Sequence, residues 1–168
     1  EVTSLVESPN ILIGEFEKKY LKIPMECLIL TMKSNQKYFP LFNKKNLLTN
    51  KFIITSNSNT HNTKNIIEGN EKVIRPRLAD AQFFFDQDKK DGMEFFASKL
   101  KTIIYHNKLG SQEDRAKRVA NMMTYINLHL NFKYKTDFNR LAMLSKADLV
   151  SQMVGEFPEL QGIMGRYY

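Results

Sequence analysis

A single cysteine in 168 residues, Cys27, leaves no partner for an internal disulfide and no basis for a Cys-rich zinc site. It sits in the apolar run Cys27-Leu28-Ile29-Leu30, where a buried small hydrophobe is expected rather than a nucleophile. A lone thiol also fits a reducing, cytoplasmic setting. No stretch reaches the ~18 apolar residues that a membrane span needs. The opening residues Glu1-Val2-Thr3-Ser4 carry no starting Met and no basic-then-apolar leader pattern, and the chain stops on "GIMGRYY". Both ends read as cut, so a piece of a longer polypeptide is expected. No Gly-rich phosphate loop is present, because Gly162 and Gly165 form only "GIMG". The three histidines are scattered and assemble neither a catalytic triad nor a metal site. His61 falls in a polar loop, while His106 and His129 are expected as partly buried packing residues. The acid pairs Asp86/Asp88 and Glu156/Glu159 are expected at an exposed helix end and in a Pro-containing loop.

Acid is also missing locally. Between Glu26 and Glu68 there is no carboxylate, while Lys33, Lys37, Lys44, Lys45, Lys51 and Lys64 all fall there. With a formal net charge of +7 and a pI near 9.4, this stretch is the natural place for an anionic partner such as RNA. The competing reading is plainer: a chain rich in Lys, Asn and Ile carries lysines on any solvated face.

What is present reads as two parts, a mixed α+β part over residues 1–75 and a helical part over 76–168. At 42% hydrophobic, the chain can bury one good core or two small ones. Pro24 fits the first position of a short helix through Met32. "KYFPLF" (Lys37–Phe42) is β-prone, with Pro40 restricting it to an edge or bulged strand. "NKKN" (Asn43–Asn46) is a turn and "KFIITS" from Lys51 a second strand, together a hairpin. A Gly69-Asn70 turn is expected next, then a helix from Pro76 through Leu78, Ala81 and Phe85, ending at Gly92. Met93, Phe96, Leu100, Ile103 and Ile104 form a further apolar stripe ending at "KLGS". Ser111 and Asp114 make a capping box for a helix with Val119, Ala120, Met123, Ile126 and Leu130 inward. Thr136 or Asp137 caps a last long helix through Leu141, Leu144, Leu149 and Met153 to Gly155.

Arg75-Pro76-Arg77 stands at the junction. Cations at a helix N-terminus face the positive end of the dipole, so each needs an anion. Asp80, Glu68 and Glu71 are local candidates; a nucleic-acid phosphate is the other. Internal pairing that clamps the α+β part onto the helical part is the favoured expectation.

Four stretches, "QKYFPLF" (Gln36–Phe42), "IEGNEKVIRPRLADAQFFFDQD" (Ile67–Asp88), "KLGS" (Lys108–Ser111) and "LSKADLVSQMVGEFPELQGIMGRYY" (Leu144–Tyr168), closely resemble the β subunit of bacterial glycyl-tRNA synthetase, the type with two α and two β chains. The resemblance implies an internal section of a β subunit, non-catalytic in itself and contributing surface for tRNA(Gly). It places glycine activation, with its ATP and Mg²⁺, in the partner α subunit, and no cofactor or metal in this section. It also implies a front part similar to a domain of phenylalanyl-tRNA synthetase and a helical part similar to a degenerate, C-terminally truncated HD-type domain. Lys33, Lys37, Lys44, Lys45, Arg75 and Arg77 become tRNA-binding candidates. HD hydrolases hold metal with a His-Asp doublet. Here the aligned residues are Ala147-Asp148, following Lys146, and Ala147 offers no lone pair. Asp148 is then expected to cap or pair locally, with Lys146 and Arg166 as partners. A metal-dependent phosphohydrolase of HD type is the alternative.

Overall fold

The computed structural model describes residues 2–57 and 62–168, so His61 lies outside the described residues. Elements run α1 (Val2–Leu5), β1 (Asn10–Glu15), α2 (Met25–Leu30), β2 (Phe39–Phe42), β3 (Leu48–Ser56), α3 (Thr63–Asp91), α4 (Met93–Lys99), β4 (Ile104–His106), β5 (Gly110–Ser111), α5 (Gln112–His129), α6 (Phe138–Leu144), α7 (Gln152–Glu156) and α8 (Ile163–Tyr167). Short 3₁₀ and π turns lie between them. The chain divides into two compact units, Glu1–Phe83 and Phe84–Tyr168.

The first unit is built on an antiparallel sheet in the order β1-β3-β2. The β2–β3 hairpin forms where turn chemistry places it. Pro40, which has no N–H for a ladder, sits on edge strand β2, and the register shifts between Pro40 and Phe42. Strand β1 was not foreseen, although Ile11 and Ile13 alternate in "NILIGE". It pairs with β3 so that Gly14 faces Phe52, and a Cβ on Gly14 would come 2.7 Å from the ring tip. That close approach accounts for the glycine. Phe52, Ile54, Leu28, Met32 and Ile74 fill the core of this unit. Pro24 precedes α2 as its N-cap residue, and a π turn over Thr31–Asn35 follows. Cys27 is fully buried, with its backbone carbonyl accepting from the Thr31 hydroxyl at 2.9 Å. Burial pushes the thiol up to about 12.

Helix α3 overturns the expected start at Pro76. It begins at Thr63 and runs 29 residues with Gly69, Asn70 and Pro76 all inside. The decision is energetic. An interior proline costs ~3 kcal/mol, through a lost hydrogen bond and a clash with the preceding turn. Ile74 and Leu78, one turn apart on either side of Pro76, are fully buried. Full burial is worth roughly 1.5–3 kcal/mol for each such side chain, enough to offset the proline. Asn70 is no turn residue: its amide donates to Ile66 at 2.7 Å and accepts from Tyr38 Oη at 2.6 Å.

The second unit is held by two buried aspartates. Asp88 was expected at an exposed helix end, yet it is fully buried. It accepts from the backbone N–H groups of Gln152 (2.8 Å) and Met153 (2.9 Å) and from Tyr168 Oη (2.7 Å). Asp148 is likewise buried and accepts from Gly162 N and from Gly165 N at 3.0 Å. Those amides, rather than Lys146 or Arg166, are its partners. The expected single helix to Gly155 is broken into α6, a 3₁₀ turn at Ala147–Val150, and α7. Ser151 ends one piece and caps the next, its hydroxyl accepting from Val154 N at 3.2 Å. Ile104 belongs to a two-stranded ribbon rather than to a helical stripe. The Ser111/Asp114 capping box and the Asp137 cap are both formed. Hydrogen bonds from the Ser111 backbone N–H and hydroxyl hold the Asp114 carboxyl below the usual range.

Two expectations follow. Asp88→Ala removes a buried charged acceptor from the N–H groups of Gln152 and Met153, a loss on the order of 3 kcal/mol. The thermal midpoint should fall by roughly 6–12 °C, while the exposed Asp86→Ala melts within a degree or two of the parent. Cys27 should resist aromatic disulfide reagents in the native state and react only on unfolding; rapid native-state labelling would contradict its burial.

Candidate nucleic-acid interface

The β2–β3 turn presents Lys44 and Lys45 to solvent. Asn43 builds it: its side-chain oxygen accepts from Lys45 N (2.9 Å) and Leu47 N (3.0 Å), and its own N–H donates to Leu47 O at 2.9 Å. Asn46 completes the turn in the left-handed region, at φ 57°. Held this way, the two lysine side chains extend from a fixed tip. Phe42 and Leu47 flank it, 42% and 59% exposed. Cations beside exposed apolar side chains are the arrangement that tracks phosphates while giving bases a surface to lie on.

Lys33 lies exposed on the π turn that packs against β2. Lys37 is half-buried, has φ 57°, and is engaged in the structure. The other two lysines of the acid-free stretch find carboxylates from outside it. Lys51 pairs with Glu15 at 3.0 Å and Lys64 with Glu68 at 3.8 Å. Among the described residues, Lys33, Lys44 and Lys45 have no ion pair. Phe39, Ile11 and Ile13 were not picked out from the sequence. Ile13, Ile53 and Phe39 stand opposite one another across the three strands, and Ile13 and Phe39 are 52% and 43% exposed. Period-2 alternation in "NILIGE" was the available signal.

Arg75 and Arg77 part company. Arg75 Nε donates to Glu17 Oε1 at 2.6 Å, a partner none of the sequence candidates supplied. Both residues belong to the first unit, so this ion pair does not join the α+β part to the helical part, as the clamp expectation required. Arg77 and Asp80 are exposed, and among the described residues no ion pair forms between them. Arg75 and Arg77 sit two positions apart within α3, and helical spacing rather than Pro76 sets them on different sides. Arg77 thus remains as a cation open to a phosphate, and Arg75 does not.

The remaining titratable candidates lie apart. His106 and His129 are exposed, against the expectation of partial burial, and His129 stacks on Tyr125 with ring centres 3.7 Å apart. Ala147 is fully buried and Asp148 is spent on the amides that begin α8. Among the described residues no group of three or more His, Cys, Asp or Glu side chains is placed to hold a metal ion. No helix there is long and apolar enough to cross a membrane.

A half-exposed ion pair such as Arg75–Glu17 is worth ~1 kcal/mol or less. Arg75→Ala should lower the thermal midpoint by no more than roughly 2–4 °C, and Arg77→Ala should leave it unchanged. A larger loss at Arg77 in a melting experiment would show a structural partner for it.

A family model described as glycyl-tRNA synthetase beta subunit matches residues 1–168. The chain is 54% identical over 169 residues to the glycine–tRNA ligase beta subunit of Methylobacillus flagellatus, covering 100% of this chain and 24% of that protein. It is 54% identical to the same subunit of Dechloromonas aromatica and 55% identical to that of a Janthinobacterium species, with the same coverage. The chain thus spans about a quarter of the length of these relatives.

Proposed function

The chain belongs to the glycyl-tRNA synthetase beta-subunit family, and on that premise we propose that it supplies RNA-facing and scaffold surface to a glycine–tRNA ligase acting on tRNA(Gly). Activation of glycine with ATP and Mg²⁺ is assigned to a partner α subunit, in an assembly of two α and two β chains. The observation that carries this reading is the fixed, carboxylate-free tip of the β2–β3 hairpin, with Lys44 and Lys45 exposed beside Phe42 and Leu47. Lys33 and Arg77 add cations on neighbouring elements of the same unit, without an ion pair among the described residues. An ATP site does not fit these residues: the two glycines of "GIMG" turn their N–H groups onto Asp148, leaving no cradle for a phosphate there.

The helical unit is proposed to be a scaffold similar to an HD-type domain without its metal centre. Two features support this: Ala147, buried and without a donor atom, and Asp148, whose carboxylate already receives two backbone amides. A phosphohydrolase would need that carboxylate free to meet a cation, and no observation favours that alternative.

The test is binding of tRNA(Gly) by the whole ligase across a salt series. Each phosphate that is no longer neutralised should flatten the slope of log affinity against log salt by roughly 0.7–0.9. Changing the exposed Lys33, Lys44 and Lys45 together to Ala should weaken binding and flatten that slope, with the thermal midpoint nearly unchanged. Unaltered affinity and slope would reduce these lysines to solvated surface. Glycine-dependent ATP–pyrophosphate exchange by the 168-residue chain alone would overturn the assignment of activation to the α subunit.

A further inference from the structure

Helix α5 carries a stripe that its sequence marks as interior and its surroundings leave open. Its buried face is narrow: Ala116 and Ala120 pack on Ala142 of α6, with Phe138 and Met143 beside them. Next to that face, Val119, Met122 and Ile126 follow i, i+3, i+7 spacing, the period of a buried helical face. Met122 is 65% exposed, and Val119 and Ile126 are more than two-fifths exposed. Leu130, at the end of the helix on the same side, continues the apolar surface at 60% exposure, whereas Leu128 lies on the opposite flank of α5. So dense a run of exposed large hydrophobics marks an interaction surface.

The segment after α5 extends the surface and is held in place. Asn127 accepts from Tyr134 N at 3.1 Å and donates to Tyr134 O at 3.3 Å. Asn131 and Lys133 take the left-handed region to let the chain fold back. Phe132 and Tyr134 thereby stand with ring centres 5.8 Å apart. With Met123, Ile126 and Phe138 they line an almost wholly apolar groove of about 180 Å³. A second cleft, about 170 Å³, lies along the same helix pair beside Val119 and Ala142.

Charge narrows the choice of occupant. Between Arg115 and Ala147 the only carboxylate is Asp137, and it is committed to capping α6. Lys117 and Arg140 are neutralised by Glu113 and Glu94. Lys133 and Lys135 remain exposed at the rim, without an ion pair among the described residues. A second copy would bring the same basic rim against itself. A nucleic-acid backbone would leave Met122, Ile126 and Leu130 facing phosphates. The relatives, in contrast, carry about three-quarters of their length outside the matched stretch, since this chain covers 24% of them. A segment tethered in the same polypeptide docks at high effective concentration.

We propose that the α5 stripe and the Phe132–Tyr134 groove are the seat of an acidic-edged amphipathic helix from the remainder of the same β-subunit polypeptide. The inference rests on family membership and relative length, not on the RNA reading, so the two fail separately.

The test uses a full-length β subunit carrying this stretch, assembled with its α partner. Benzoylphenylalanine at Met122 or Ile126 is photoactivated in assemblies containing a mixture of ¹⁴N- and ¹⁵N-labelled β chains. The expected product is a same-label crosslink to a helical β-chain peptide outside the 168 residues, with acidic side chains near the crosslink. Amide exchange over 122–134 should also slow by roughly tenfold or more relative to the 168-residue chain alone. A mixed-label crosslink (a second copy), a crosslink to the α chain or to tRNA, or equal exchange in the two contexts would overturn it. So would failure to crosslink at both positions.

Discussion

The second unit depends on a carboxylate that no cation neutralises among the described residues. Asp88 lies on the buried face of α3 near its end, in a fully buried position, and its charge is met by the N–H groups that open α7 together with the Tyr168 hydroxyl. Desolvating a carboxylate is expensive unless every lone pair finds a donor. Backbone amides at a helix start supply that without the entropy of ordering a long cationic side chain. Asp148 repeats the solution 60 residues later in sequence, by way of Gly162 and Gly165. A Cβ on Gly165 would sit 3.3 Å from the Asp148 oxygen, so the small residue belongs to the same device.

These two carboxylates also tie together stretches that lie far apart in sequence. The segment from Ile67 ends on Asp88, and the segment from Leu144 to Tyr168 contains every donor to both aspartates. Two distant stretches are thus halves of one hydrogen-bonded arrangement. Neither half is interpretable by itself, because an aspartate before "KKDG" looks like an ordinary solvated helix end. Local rules carried the Ser111/Asp114 box, the Asp137 cap, the Asn43 turn and the edge position of Pro40, each of which involves neighbours within a few residues. They failed where the deciding partner is remote. Pro76 is tolerated because Ile74 and Leu78 are buried around it. Asp88 is buried because α7 delivers two amides from 64 and 65 positions away. The break at Ser151 was visible only in part: Ser is a good cap, but the apolar period through Leu149 and Met153 hides the interruption.

The candidate interface was half legible for a related reason. An absence of carboxylates between Glu26 and Glu68 can be read directly, but cancellation of a lysine by an acid elsewhere cannot. Lys51 and Lys64 are lost to Glu15 and Glu68, and Arg75 to Glu17, each from outside the stretch or the motif that drew attention to them. Lys44 and Lys45 survive because a tight Asn43 turn keeps them at a tip, where no other segment reaches.

Acid placement then bears on function. At least ten of the 18 acidic side chains are committed within the described residues. Five pair with cations and five accept from backbone or hydroxyl donors. Those committed to backbone groups stay where helices and strands need them, and cannot move to screen a lysine elsewhere. Screening in physiological salt reduces interactions beyond ~8 Å, so what an approaching anion meets is the local balance rather than the total of +7. At the β2–β3 tip that balance is two lysines and no carboxylate in the surrounding stretch. At the α5 rim it is Lys133 and Lys135 beside aliphatic and aromatic side chains. Under the two proposals, the same excess of cation serves different partners according to what flanks it. Aromatic and backbone-polar neighbours at a hairpin tip suit a phosphate chain, whereas a broad aliphatic stripe suits a protein helix whose acids meet the rim.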